Sequence, residues 1–89
     1  MSAAARPVLV LLSKPGCHLC HELRAVVERV LPEYDAVLEE RDVRADPGTR
    51  RLYALEIPVL MLGAREVLRH RATVDELRER LAAAGLPRR

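Results

Sequence analysis

The segment Pro7-Val8-Leu9-Val10-Leu11-Leu12 contains no polar position and no alternation, and it constrains the fold of the 89-residue chain more than any other run. A strand with one face in water alternates apolar and polar residues, whereas an unbroken apolar run needs cover on both faces. The run therefore predicts a central strand. Ser13-Lys14-Pro15-Gly16 follows it with turn chemistry. Beyond that turn, Leu19, Leu23, Val26, Val27, Val30 and Leu31 recur at helical spacing until Pro32. The first unit is strand, tight turn, helix.

Ala36 to Val43 reads as a second strand, less apolar and so nearer an edge. Asp46-Pro47 offers an N-cap followed by proline at the first helical position, opening a short helix to about Leu55. Ile57 to Leu62 and Arg65 to Arg69 flank Gly63-Ala64, which fits a two-residue hairpin turn between antiparallel strands. Thr73-Val74-Asp75-Glu76 matches a capping box, and Val74, Leu77, Leu81 and Ala84 form the stripe of a last helix closed by Gly85 and Pro87. The order strand, helix, strand, helix, strand, strand, helix defines a single α/β domain over residues 1–89. Its ordered core is expected over about 7–85, with a frayed Met1 to Arg6 and a loose Leu86 to Arg89.

A hydrophobic fraction of 49% suffices for a modest core, assembled from Leu, Val, Ile and Ala because Trp and Phe are absent. The 15 basic and 13 acidic residues nearly cancel and interleave, as in Glu39-Glu40-Arg41-Asp42 and Glu76-Leu77-Arg78-Glu79-Arg80. Such interleaving is the pattern of solvated faces rather than of a phosphate-tracking stripe, so no nucleic-acid partner is expected. The Val8 to Leu12 run is too short to span a bilayer, and Met1 to Pro7 lacks the charged start and long apolar stretch of a secretory leader. A cytoplasmic location away from membranes is the resulting expectation.

Cys17 and Cys20 are the two cysteines, and they stand two residues apart at the start of the first helix. A disulfide this local removes little entropy from the unfolded chain, so the spacing points to chemistry rather than to a stabilising staple. Cys20 lies three residues before Leu23 and seven before Val27, which turns it inward with the apolar stripe. Cys17 sits at the helix mouth, where unpaired N–H groups and the positive end of the macrodipole favour a thiolate. Lys14 adds to that field. The roles follow from the placement: Cys17 attacks a substrate disulfide, and Cys20 resolves the mixed disulfide. Of the two histidines beside them, His18 is a candidate for tuning the Cys17 thiol, and both project to the outer face.

Three rival readings use the same residues. Cys17 to His21 spells C-x-x-C-H, the attachment pattern of a c-type haem. Haem attachment normally needs an exported chain, and a helix pinned to a buried strand leaves little room for a porphyrin. A zinc site from Cys17, His18, Cys20 and His21 fails because neighbours on one helical turn do not converge on a tetrahedral ion. No metal site is therefore expected. The third rival is a redox-silent binding module whose cysteines are idle. Ile57-Pro58 also has two readings: a proline that opens a strand, or a cis bond that leaves the Ile57 backbone free to hold an extended substrate.

Ser13-Lys14-Pro15-Gly16-Cys17-His18-Leu19-Cys20, Asp42-Val43 with Asp46-Pro47, Tyr53, and Ile57-Pro58-Val59-Leu60 together resemble the small bacterial glutaredoxin-like proteins of the thioredoxin superfamily. The resemblance runs from Val8 to about Leu81. It implies a thioredoxin-like fold with a four-stranded mixed sheet flanked by three helices, a nucleophilic Cys17, a resolving Cys20 and a cis-Pro58 beside them. It further implies a thiol-disulfide oxidoreductase that reduces protein or small-molecule disulfides. Electrons would come from glutathione as a co-substrate or from a thioredoxin-reductase-type enzyme, with no tightly bound cofactor. Lys14 matches the family lysine associated with a glutathione carboxylate, and Thr73 with Asp75 supplies further polar contacts. Two departures stand out: His18-Leu19 replaces the Pro-Tyr pair of glutaredoxins, and His70 to Asp75 lacks their Gly-Gly-x-Asp segment. Unlike thioredoxin, the first strand carries no carboxylate to take the proton of the resolving thiol.

Overall fold

The computed structural model describes residues 6–89. The elements are β1 (Val8–Ser13), α1 (His18–Val30), a 3-10 turn (Leu31–Glu33), β2 (Val37–Asp42), α2 (Pro47–Tyr53), β3 (Val59–Leu62), β4 (Arg65–Arg69) and α3 (Val74–Ala83). One sheet contains all four strands in the order β2-β1-β3-β4. β1 pairs in parallel with β2, from Val8 opposite Val37 to Ser13 opposite Asp42, and antiparallel with β3. β3 and β4 form an antiparallel hairpin.

The central position of β1 follows from its side chains. Leu9 and Leu11 point to one face, where Leu23, Val27 and Val30 of α1 and Leu77 and Leu81 of α3 complete the larger core. Val10 and Leu12 point to the other, against Val43, Val59 and Met61, with Tyr53, Ala54 and Ile57 covering them at the end of α2. An unalternating strand is thereby buried from both sides, as its sequence requires.

The edges of several elements differ from the sequence expectation. α2 stops at Tyr53 instead of running to Leu55, and a turn through Glu56, whose N–H donates to Tyr53 O at 2.8 Å, carries the chain on. β3 begins at Val59 rather than Ile57. A register shift between Leu60 and Met61 sets Leu68 opposite Leu60 and Glu66 opposite Met61. Val67 is the extra residue of that bulge, and consecutive Val67 and Leu68 both reach the larger core. Gly63 at φ 60° supplies the left-handed position that the β3–β4 turn requires.

The expected looseness of Leu86 to Arg89 is corrected by the structure. Leu86 is 5% exposed and belongs to the core, Arg88 bridges to Tyr34, and the Arg89 N–H donates to Glu33 O at 2.8 Å. Glu33 in turn accepts from Arg78 of α3 at 2.6 Å and from Arg88 at 3.0 Å. The Arg78 hydrogen bond leads the causes that hold its carboxyl below the ordinary range. The buried side chain of Leu86 and the contacts of Arg88 and Arg89 with Glu33 and Tyr34 together hold the tail; the expected fraying at Met1 to Arg6 lies outside the described residues except for Arg6, whose guanidinium stands 3.6 Å from Asp35.

Truncation at two leucines tests this packing. Leu86→Ala should lower stability by about 2–3 kcal/mol in urea unfolding, as truncation of a buried leucine does. Leu55→Ala, at a side chain 95% exposed, should stay within about 0.5 kcal/mol. Equal losses at both sites would contradict the docked tail. At the end of β2, Asp42 accepts from the Arg44 guanidinium at 2.7 Å and from its backbone N–H at 2.8 Å, and these bonds hold its carboxyl down at about 2. A pKa depressed on folding contributes stability above the unfolded value near 3.9 and loses it as pH falls toward the folded one. Asp42→Asn should therefore flatten the fall of thermal midpoint between about pH 4 and pH 2, while leaving the slope above pH 5 unchanged.

Candidate active site

β1 ends at Ser13, and the four-residue turn Lys14 to Cys17 carries the chain directly from the sheet into α1. The turn closes with Cys17 N–H donating to Lys14 O at 3.3 Å, and Gly16 at φ 79° takes the left-handed step before the cysteine. Cys17 is the N-cap of α1, with extended backbone at φ −88° and ψ 106°. Its sulfur accepts the Cys20 N–H at 3.2 Å, so a thiol occupies the place usually taken by a serine or aspartate oxygen. Cys20 is the third helical residue and points into the protein, at 3% exposure, whereas Cys17 is half-buried. The two are joined as a disulfide, with Cα atoms 5.2 Å apart. Cys17 at the helix mouth and Cys20 turned inward behind it have the unequal burial that the periodicity of the helix predicts.

The remaining expected site residues fall into two groups. Lys14 is exposed and borders, with Cys20, a cavity of about 250 Å³ beneath the first turn of α1. Ile57 packs on the smaller core beside Leu12, and Pro58, buried after a cis Ile57–Pro58 bond, accepts at its carbonyl from the His70 N–H at 2.7 Å. His70 closes β4 in the left-handed region at φ 71°, with its ring 3.2 Å from Glu56. Thr73 and Asp75 lie instead at the start of α3. The Thr73 hydroxyl accepts from Glu76 N–H at 3.1 Å, the Thr73 N–H donates to the Glu76 carboxylate at 2.8 Å, and Asp75 pairs with Arg78 at 3.0 Å. Their side chains are committed to the capping box and first turn of that helix.

His18 is 87% exposed on its side chain and pairs with Glu22 one turn on, at 2.9 Å, directing its ring along the helix. His21 borders the cavity with Cys20 and stands 3.5 Å from Arg24. Among the described residues no group of three or more histidines, cysteines or acids is arranged to hold a metal ion.

A polar cluster at this cavity was not among the site residues expected from the cysteine motif. Ser13, the buried end of β1, donates its hydroxyl to Glu40 of β2 at 2.7 Å, and Arg24 of α1 donates to the other Glu40 oxygen at 3.0 Å. The Ser13 bond first, and then Arg24, hold the Glu40 carboxyl below its ordinary range against partial burial. Alternation could have found the strand residues of this cluster. Leu38 packs toward the α1 face, so Glu40 and Asp42 follow it on that face, and Ser13 follows Leu9 and Leu11.

Comparison with known proteins agrees with this arrangement. The family model of the glutaredoxin-like domain (DUF836) matches residues 8–82. Among curated proteins none matches the chain. A structural genomics target protein from X. campestris superposes with a TM-score of 0.68 at 26% identity, covering 84% of this chain and 96% of that one. A malarial protein superposes at 0.63 with 13% identity, covering 89% and 97%. The germline-specific thioredoxin Deadhead of Drosophila melanogaster does so at 0.54 with 21% identity, covering 92% and 82%. No helix among the described residues is long and apolar enough to cross a membrane. With a match over most of its length, a thioredoxin-like sheet and a cysteine pair at the head of α1, the chain belongs to the glutaredoxin-like domain family of the thioredoxin superfamily.

Proposed function

We propose that the protein is a cytoplasmic thiol-disulfide oxidoreductase that reduces protein or small-molecule disulfides through Cys17 and Cys20. The observation that carries this reading is the unequal setting of the two sulfurs: Cys17 caps α1 at the surface and Cys20 is buried behind it. In the reduced protein the Cys20 N–H and the helix N-terminus favour a thiolate at Cys17. A free thiol with a pKa of about 8.5 is only a few per cent ionised at neutral pH, so even a modest lowering raises the reactive fraction severalfold.

The reaction balances in two steps. The Cys17 thiolate attacks one sulfur of the substrate disulfide, forms a mixed disulfide, and expels the other sulfur as a thiolate. Cys20 then attacks the Cys17 sulfur, loses its proton, and releases the second substrate thiolate, leaving the Cys17–Cys20 disulfide. Two electrons from glutathione, or from a thioredoxin-reductase-type enzyme, restore the dithiol. Lys14 at the cavity rim and Ile57-Pro58 at the head of β3 are the residues proposed to contact substrate. Lys14 offers a cation to a carboxylate such as that of glutathione.

Trapping tests the cycle directly. Cys20→Ser should accumulate a covalent Cys17–substrate adduct visible by mass spectrometry and cleaved by dithiothreitol, while Cys17→Ser should lose disulfide reduction by at least about a hundredfold. If Cys20→Ser captures no disulfide and Cys17 alkylates no faster than free cysteine, the exchange mechanism fails and the idle-cysteine module is the better reading.

A further inference from the structure

The resolving step leaves one proton to be placed. Cys20 must lose its thiol hydrogen as it attacks the Cys17 sulfur, yet it lies beneath the helix start at 3% exposure. The cavity of about 250 Å³ beside it is large enough for water, and it is bordered by Ser13, Lys14, His21, Glu40 and Asp42. Resting on the thiol-disulfide reading above, we propose that Glu40 accepts the proton of Cys20, through water in this cavity, during the resolving step.

Glu40 is chosen over its neighbours on geometry. Both Asp42 oxygens are taken by Arg44, which donates to them from its backbone N–H, Nε and Nη2. Each Glu40 oxygen accepts one bond, from Ser13 or from Arg24, and keeps lone-pair capacity for a water. Glu40 also lies opposite Leu11 in the parallel register, on the sheet face that α1 covers, and borders the same cavity as Cys20. The charged and titratable groups facing the cavity are Lys14 from the turn, His21 and, through Glu40, Arg24 from α1, and Glu40 and Asp42 from β2. Because Ser13 and Arg24 keep the carboxylate charged, it is ready as an acceptor at neutral pH and passes the proton on to water or the departing thiolate.

In the resolving step the Cys20 S–H bond breaks and its electron pair forms the Sγ–Sγ bond to Cys17. The bond from Cys17 to the substrate sulfur breaks, its pair leaves on the substrate thiolate, and the proton resides on Glu40. Stopped-flow reaction of the reduced protein with one equivalent of 5,5′-dithiobis(2-nitrobenzoate) separates the steps, since each releases one coloured thiolate. The first release reports Cys17 and the second reports Cys20. Glu40→Gln should leave the first release within about twofold and slow the second at least about tenfold near pH 7, a floor set below the roughly hundredfold or more that general-base catalysis typically contributes. The gap should close at alkaline pH, where Cys20 ionises unaided, and Glu40→Asp should recover part of the rate. Ser13→Ala removes the main donor to Glu40 and makes it a stronger base, so its second release should match or exceed that of the parent, and this variant decides the matter if Glu40→Gln does not fold. An unchanged second release in Glu40→Gln, a slowing by the same factor at every pH, or a slowed Ser13→Ala overturns the role of Glu40. A first release no faster than that of free cysteine overturns the proposed function instead.

Discussion

Burial of β1 on both faces is the constraint on which the rest of the molecule depends. With Leu9 and Leu11 turned to α1 and α3 and Val10 and Leu12 turned to the α2 side, the strand is covered on both faces over most of its length. Each CH₂ so buried contributes about 0.8 kcal/mol, so one leucine returned to solvent would forfeit a sizeable part of a small domain's stability. A strand held this firmly also sets the place of the next turn and helix. The turn to Cys17 is four residues long, so the sulfur at the head of α1 inherits its position from the central strand. Placement of reacting groups on rigid elements is what holds such sites to geometry.

Much of this was legible in sequence, for reasons that vary by element. The strand-turn-helix around the cysteines was legible because an unbroken apolar run, a turn with proline and glycine, and a helical stripe are each strong local signals. The α3 start was legible because Thr73 and Glu76 satisfy each other's backbone N–H groups, a pattern set by four residues. The C-terminal tail was not. Pro87-Arg88-Arg89 looks like a frayed end, and its order depends on Glu33 and Tyr34, more than fifty residues away. The β4 bulge was likewise invisible, since Val67 is extra only relative to its partner strand.

The site divides along the same line. The unequal burial of Cys17 and Cys20 is a property of one helical turn, and spacing alone reveals it. The surroundings of Cys20 are a property of two strands in register: Ser13 and Glu40 are 27 residues apart and meet only because β1 and β2 run parallel. Along the chain, Glu39-Glu40-Arg41-Asp42 is a solvated charge run. Folded, it alternates, and Glu40 and Asp42 fall on the face that carries the cysteine helix. Thr73 and Asp75, a polar pair set near the site by resemblance, cap and pair within the helix that they start.

The two sulfurs therefore meet opposite electrostatic surroundings within one turn of helix. Above, Cys17 faces the unpaired N–H end of α1 and accepts one of those N–H groups from Cys20 itself, an arrangement that favours negative charge on sulfur. Below, Cys20 faces a cavity that holds a carboxylate kept ionised by Ser13 and Arg24, an arrangement that disfavours a second negative charge. For the exchange cycle proposed above, such a field favours negative charge on Cys17 over negative charge on Cys20. Within that proposed cycle the order of the two steps follows from position, the helix start favouring charge on the attacking sulfur and the carboxylate at the end of β2 disfavouring it on the resolving one.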